Sequence, residues 1–349
     1  MTMHATENPT ANAATETPRR PGPLVFWSAF GAVTIALAAY CWTRWLFSGD
    51  FTRPSAGTDD YDYLWYLRTF EAVASVAGLV MLWFWVVRPW RRARRVPIDG
   101  KILLGMMFAY VVDPTLNVFT NAFAMNAHSV SFGSWGAYLP LGWGPDEERF
   151  AEGLLWAPQL YMYFGLFAAM LGCWMLRVLR RRFPAWSEAT VYAAVFVIFM
   201  PLDCVAEIVV LVLPQLYVFP GVPEDFSLFA GEIYQFPLYQ SIFAAVFATM
   251  VTWLRDSVDA GGRSAVERGV DALNVSDLRK HVMSFCAVTG FCAASALGYF
   301  LPYGYASMSA DTYVELPSYL APAAYCGVEG RPTCPSEYLD RLENGVPGP

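Results

Sequence analysis

The stretch FMPLDCVAEIVVLV, residues 199–212, places two carboxylic acids inside an otherwise apolar run. Asp203 and Glu207 are four residues apart, so a helix would put both side chains on one face. Burial and a neighbouring carboxylate both favour the neutral form of a carboxyl group, so such a pair can hold one proton donor and one ionised group. That division suits general acid catalysis through an oxocarbenium ion or carbocation in an aromatic pocket. It would equally suit a proton-coupled carrier.

Other apolar runs carry similar polar side chains. Asp113, Asn117 and Asn121 recur at intervals of four residues, which predicts one polar stripe on a helix. The predicted catalytic carboxyls are Asp203, Glu207, Asp113 and Glu71. The predicted substrate-binding residues are Asn117, Asn121, Trp156, Gln159, Tyr163, Tyr234, Gln235 and Tyr239. A purely structural role is the alternative, with Arg68 paired to Glu71 and the two asparagines capping Asp113.

The positions of the other reactive residues in the sequence exclude several classes of site. Lys101 and Lys280 lie at the edges of apolar runs, where neither would form a buried Schiff base. His4, His128 and His281 lie outside the runs or at their boundaries, which argues against bis-histidine haem or a histidine metal site. No nucleophile elbow or nucleotide-binding glycine motif occurs. We therefore predict chemistry without a metal and without a cofactor.

The elements that must position these residues are apolar runs, in a chain of which 56% is hydrophobic. A membrane-spanning helix needs about 20 apolar residues. Seven runs qualify: 24–47, 64–87, 102–125, 153–176, 188–213, 233–254 and 282–301. The predicted fold class is therefore all-α, a polytopic transmembrane helix bundle of about seven spans, with six or eight left open.

Lysine and arginine concentrate in the loops after the second, fourth and sixth runs. The loops after the first, third and fifth runs hold only Arg53 and Arg149. Positively charged loops stay in the cytoplasm, so we predict a cytoplasmic N-terminus and an external C-terminus. The predicted divisions are a disordered cytoplasmic lead (1–23), a transmembrane domain (24–301) and an external tail (302–349). We interpret the basic loops as topology signals in a multi-pass protein of the cell membrane. The expected partners are membrane lipid and a lipophilic small molecule, and no nucleic acid.

Prolines and cysteines add two structural expectations. Four prolines stand beside the polar groups: Pro114, Pro158, Pro201 and Pro237. They predict kinked helices around a widened cavity that opens outward or sideways to the outer leaflet. The alternative is that the kinks are those of an ordinary helix bundle. Cys326 and Cys334 lie in the predicted external tail, where a disulfide persists, so we predict a bridge between them.

Three stretches resemble the spirocyclase AveC-like family of bacterial membrane proteins: VVDPTLNVFTNAF (111–123), FMPLDCVAEI (199–208) and EIYQFPLYQS (232–241). The resemblance implies closure of a dihydroxy-ketone into a spiroketal, and a dehydration, in polyketide metabolism without a redox cofactor. It supplies no set of catalytic residues, so the four acids named above rest on their burial alone. A proton-coupled carrier or a non-catalytic lipid-binding membrane protein is the alternative.

Overall fold

The computed structural model describes residues 22–49, 54–113, 122–140 and 152–320. Within these ranges the architecture is a bundle of α-helices, as predicted. The helices are α1 (Gly22–Ser48), α2 (Leu64–Met81), α3 (Arg88–Ala93), α4 (Ile98–Ala109), α5 (Ala157–Arg182), α6 (Glu188–Glu207), α7 (Leu238–Asp256) and α8 (Asp277–Ser307). Two π-helical turns extend them, with Leu82–Val87 joining α2 to α3 and Ile208–Val212 following α6.

Five helical stretches among the described residues are long and apolar enough to cross a membrane: Pro23–Ser48, Leu64–Ala93, Ala157–Arg182, Glu188–Val212 and Asp277–Ser307. They correspond to the first, second, fourth, fifth and seventh predicted runs. The third run does not continue as a helix to residue 125, because α4 ends at Ala109 and residues 124–125 form a strand. The seven-span count and the orientation stay predictions.

Helices α1 and α8 pack along each other through two glycines. A Cβ atom on Gly31 would lie 1.8 Å from the Cys286 carbonyl oxygen, and one on Gly290 would lie 2.3 Å from the Trp27 carbonyl oxygen. Small residues allow such close approach between apolar helices, for which lipid offers no hydrophobic driving force. The two glycines therefore fix the separation of the two helices.

We expect Gly290→Ala to destabilise the protein by about 1–3 kcal/mol, because the added methyl group overlaps backbone atoms of α1. Gly298→Ala is the matched control, since a Cβ atom there meets only the Met250 sulfur, at 3.6 Å. Thermal unfolding in detergent should show a lower midpoint for Gly290→Ala than for Gly298→Ala. Equal midpoints would contradict the close approach.

Ion pairs join the helices at one end of the bundle, where the loops at residues 94–97, 183–187 and 257–276 lie. We call it the basic end. Arg255 of α7 binds Asp99 of α4 at 2.7 Å. Arg180 of α5 binds Glu188 of α6 at 2.6 Å and Asp256 of α7 at 2.7 Å. These pairs hold four helices in register.

Lys101 lies at the edge of its apolar run, as predicted, but it is buried there, with 5% of its surface exposed. Its ammonium lies 2.5 Å from the carboxylate of Glu267 and donates a 2.7 Å hydrogen bond to Ser284 of α8. Glu267 belongs to the loop between α7 and α8 and also accepts hydrogen bonds from Ser264. The loop thus closes over the lysine and neutralises its charge.

Three two-stranded antiparallel sheets lie at the opposite end of the bundle. Strand β1 (Ala124–Met125) pairs with β2 (Tyr217–Val218), β3 (Gly221–Val222) with β6 (Thr312–Tyr313), and β4 (Ser227–Leu228) with β5 (Phe236–Pro237). We call residues 122–140, 213–237 and 308–320 the cap. The strands of the cap pair three connections that are remote in sequence. The cap includes the start of the predicted external tail.

Two of the four prolines begin helices, so the predicted kinks are wrong at these positions. Pro158 occupies the first turn of α5 and Pro237 immediately precedes α7, where a missing N–H costs nothing. Pro201 lies inside α6, as predicted. Pro114 and the cysteines of the predicted disulfide, Cys326 and Cys334, lie outside the described residues.

Candidate functional site

A cavity of about 350 Å³ lies between α5, α6, α7 and α8, on the side of the bundle nearer the cap. Most of its wall is aliphatic or aromatic. The polar or phenolic residues of the wall are Asp113, Tyr161, Tyr163, Asp203, Glu207, Tyr217, Gln240, Tyr299 and Tyr303. A largely apolar cavity with a few convergent polar groups is typical of a small-molecule site.

The acids of α6 form the first polar centre of this cavity. Glu207 is buried and accepts a 2.7 Å hydrogen bond from the Gln240 amide and another from the Tyr217 hydroxyl. The same amide contacts the Tyr299 hydroxyl. Asp203 lies one turn earlier on α6, within electrostatic reach of Glu207. Two neighbouring carboxyl groups in an apolar bundle do not both ionise readily.

Two buried acceptor atoms at this centre have no partner among the described residues. They are Oδ2 of Asp203 and Oε1 of Gln240. Buried polar atoms in folded proteins are normally hydrogen-bonded, and an unmet acceptor costs free energy. Both atoms are shielded by neighbouring side chains, although Asp203 and Gln240 themselves line the cavity. The few polar groups on an otherwise apolar wall suit an oxygen-bearing ligand with an apolar body.

Asp113 forms a second polar centre in the same cavity. It lies four residues beyond the end of α4 and accepts a 2.6 Å hydrogen bond from the Tyr161 hydroxyl. The ring of Tyr161 packs against Phe300 of α8, with 5.9 Å between ring centroids. The hydrogen bond and the ring contact together fix the direction of the Asp113 carboxyl group.

Glu152 is a third buried acid, behind the cavity wall. It accepts a 3.1 Å hydrogen bond from the Trp135 backbone N–H and a 3.4 Å hydrogen bond from the Tyr110 hydroxyl. Burial, followed by the nearby Asp113 carboxyl, raises the pKa of Glu152 well above its ordinary value, although the hydrogen bonds oppose this. Sequence analysis missed this residue as a site candidate because it stands just outside an apolar run.

We expect Glu152→Gln to change how stability depends on pH. A raised pKa means that the folded protein retains the proton, so stability is lost as pH rises from the ordinary value of about 4.3 through the higher folded value. Glutamine does not ionise. The melting temperature of Glu152→Gln relative to the unmodified protein should therefore rise between about pH 5 and about pH 8.

The matched control is Glu232→Gln, an exposed glutamate in the cap. Its melting temperature should differ from that of the unmodified protein by the same small amount at both pH values. A pH-independent difference for Glu152→Gln as well would contradict the buried, protonated state of Glu152.

The structure brings five of the predicted site residues together on the cavity wall. They are Asp113, Trp156, Tyr163, Asp203 and Glu207. The acids reach the cavity from two separate parts of the chain, α6 and the segment after α4. Asn117 and Asn121, predicted beside Asp113, lie outside the described residues.

Glu71 is absent from the described cavity wall. It pairs with Arg68 at 2.6 Å and accepts a 2.7 Å hydrogen bond from the Val130 backbone N–H. Arg68 in turn donates to the His128 carbonyl. These contacts tie α2 to the cap, which agrees with the structural alternative considered from the sequence.

The other predicted binding residues support the wall from behind or belong to the cap. Gln159 donates to the Leu154 carbonyl at the start of α5. Gln235 is buried and bridges the Gly231 N–H and the Phe219 carbonyl within the cap. Tyr239 packs on Tyr303, with 5.4 Å between ring centroids, and Tyr234 packs on Phe229.

Five polar or phenolic residues of the described wall were not predicted as site residues, and the first three bind an acid directly. They are Tyr161, Tyr217, Gln240, Tyr299 and Tyr303. Tyr161 stands between two predicted residues, and Gln240 immediately follows Tyr239. Neighbouring helix residues point about 100° apart, so an error in helix rotation selects the wrong member of such a pair.

A family model described as spirocyclase AveC-like matches residues 93–325, which is more than half of the chain. The match begins at the end of α3 and includes all the polar wall residues of the cavity. No curated protein and no solved structure matches the chain. Within the described ranges, no three His, Cys, Asp or Glu side chains are grouped so as to hold a metal ion.

Proposed function

Because the chain belongs to the spirocyclase AveC-like family, we propose that it closes a lipophilic dihydroxy-ketone into a spiroketal inside this cavity. The proposed substrate is a polyketide or a similar secondary metabolite, and the proposed location is the cell membrane, crossed several times. One observation carries the proposal. The carboxyl pair on α6 lines one aromatic cavity together with Gln240 and Asp113.

The reaction needs a proton donor and a proton acceptor twice, and it releases one water. In the first half, one substrate hydroxyl adds to the ketone carbon, the acid protonates the ketone oxygen, and a base takes the hydroxyl proton. In the second half, the acid protonates the new hemiketal hydroxyl, which leaves as water and gives an oxocarbenium ion. The second hydroxyl then adds to that ion and loses its proton to the base.

We assign the proton donor and the proton acceptor to the α6 centre. The protonated member of the Asp203–Glu207 pair is the acid, and its ionised partner offsets the positive charge that develops on the substrate. Gln240 and Tyr217 hold the Glu207 carboxyl group in one orientation. Asp203 Oδ2 and Gln240 Oε1 accept no hydrogen bond from a described residue, and in this proposal they turn toward the substrate hydroxyls when the substrate binds.

The other wall residues stabilise the oxocarbenium ion and exclude water from the cavity. Asp113, oriented by the hydrogen bond from Tyr161, is the second base in this proposal. The rings of Tyr299, Tyr303 and Trp156 line the cavity, and a ring whose face meets a cation stabilises it by about 0.5–2 kcal/mol. Tyr163 completes the apolar wall that binds the substrate body.

The proposal is tested with the purified protein in liposomes and a synthetic linear dihydroxy-ketone. We expect spiroketal to form faster than in protein-free liposomes at the same pH, and with one configuration at the spiro carbon in excess. Asp225→Asn, which removes an exposed acid of the cap, should leave both quantities unchanged. A rate and an isomer ratio equal to those of protein-free liposomes would overturn the proposal.

A further inference from the structure

The exposed part of the cavity wall is confined to two helices. Four of the described wall residues are exposed, namely Phe167 of α5, Leu202 and Ala206 of α6, and Val210 in the π-helical turn after α6. Phe167 exposes 62% of its surface and Leu202 exposes 45%. The wall residues of α7 are buried. The cavity is therefore open on the side between α5 and α6, and we call these four residues the side opening.

The packing of the helices explains why this side is open. Helices α5 and α6 each pack closely against α7 and touch each other little. Their wall residues instead form two apolar stripes that face the cavity, with Leu160, Phe164, Phe167 and Leu171 on α5 and Phe199, Leu202, Ala206 and Val210 on α6. The Tyr66 hydroxyl on α2 donates a 3.0 Å hydrogen bond to the Val210 carbonyl, which holds one edge of the opening in place.

The cap closes the cavity at its end. Met125 and Phe219 contribute to the wall from the cap and are buried. Phe219 contacts the rings of Phe236 and Tyr303, with centroid distances of 5.5 and 6.5 Å. Among the described residues, which omit 114–121 and 141–151, these contacts close that end of the cavity. Along these residues the exposed path into the cavity runs through α5 and α6.

Both helices of the side opening are among those long and apolar enough to cross a membrane. Where two such helices cross a bilayer, an opening between them within the hydrocarbon layer faces acyl chains. The opening leads past apolar side chains to the polar residues Asp203, Glu207 and Gln240 of the cavity wall. A molecule that fits this path has an apolar body and oxygen groups at one end.

We propose that the substrate enters from the bilayer through the side opening, with its oxygen-bearing end directed toward the α6 acids and its apolar remainder lying between α5 and α6. This inference rests on the proposed function for the identity of the substrate, and it adds the route and the orientation. A cavity of about 350 Å³ holds only part of a large polyketide, so the open side also accommodates the rest.

The test uses a fatty alcohol that carries a photoreactive diazirine on its alkyl chain, added to liposomes that contain the protein. Phe247 and Ala244 of α7 line the cavity and are buried, so lipid outside the bundle does not reach them. We expect both to be labelled on illumination. Val251, which is buried outside the described cavity wall, should remain unlabelled.

Ala206→Trp and Leu202→Trp place a large ring in the side opening, so labelling of Phe247 and Ala244 should fall about tenfold in each. The matched controls are Val205→Trp and Val209→Trp, on exposed positions of the same helix that lie outside the described cavity wall. They should leave labelling unchanged. An unchanged melting temperature shows that each variant is folded.

The labelling readout is independent of catalysis, so the two proposals fail separately. If Phe247 stays unlabelled, or if Ala206→Trp and Leu202→Trp retain full labelling, the entry route is wrong even where spiroketal is formed. If labelling follows the expected pattern and no spiroketal forms, the route stands and the proposed reaction is wrong.

Discussion

We expect Glu207→Gln to lower the rate of spiroketal formation by about 10²- to 10⁴-fold, the range typical of losing a general acid or base. The substitution keeps the shape of the side chain but removes its ability to hold and release a proton. The glutamine can still bond to Gln240 and Tyr217, so the fold should be retained. The measurement is the initial rate in liposomes with a linear dihydroxy-ketone, alongside the melting temperature.

Asp203→Asn should cause a loss of similar size, because in this proposal the two carboxyl groups share one proton. The double variant Asp203→Asn/Glu207→Gln should be little worse than the more damaging single variant, since residues that act as a unit have strongly non-additive effects. Asp225→Asn is again the control. If either single variant keeps the full rate, the assignment of the acid to the α6 pair is wrong.

Lys101→Met should destabilise the protein by about 3–5 kcal/mol, because it leaves the carboxylate of Glu267 buried without its cation. Methionine keeps the length of the side chain. Burial alone would raise the pKa of Glu267, but the Lys101 ammonium and the hydrogen bonds from Lys101, Ser284 and Ser264 outweigh it, so the pKa lies below its ordinary value. The stabilisation is therefore present above the unfolded pKa of about 4.3 and lost as pH falls through the lower folded pKa.

The double variant Lys101→Met/Glu267→Gln provides the control for this pair. Removing both charges together leaves no unpaired buried ion, so most of the lost stability should return. The measurement is the unfolding midpoint in detergent at neutral pH for the single and double variants. A double variant as unstable as Lys101→Met would show that the methionine itself, and not the orphaned charge, disturbs the packing.

Helices that are apolar along most of their length could be predicted from the sequence. The runs at 24–47, 153–176 and 188–213 correspond to α1, α5 and α6 within a few residues. The third run was misjudged because hydropathy reports burial and not backbone conformation. Residues 124–125 are apolar because they are buried in a strand of the cap. Asp113 precedes Pro114, and a residue before proline disfavours the helical region, which was an available signal that α4 ends earlier.

From the sequence, the candidate site could be predicted only for residues that belong to the same helix. The spacing of Asp203 and Glu207 placed them together because both belong to α6. Their partners Gln240, Tyr217 and Tyr299 come from α7, the cap and α8, and no periodicity in the sequence relates these elements. Glu71 resembled the other acids in its apolar surroundings, and only the contact with the Val130 N–H shows that it joins α2 to the cap.

The central claim is that the α6 acids act on a substrate held within the cavity, and the isomer composition of the spiroketal product tests it most directly. Uncatalysed closure gives the equilibrium mixture of spiro-carbon configurations. The unmodified protein in liposomes should give one configuration in clear excess, and Asp203→Asn/Glu207→Gln, with an unchanged melting temperature, should give the mixture seen in protein-free liposomes. An excess that persists in the double variant would contradict the claim.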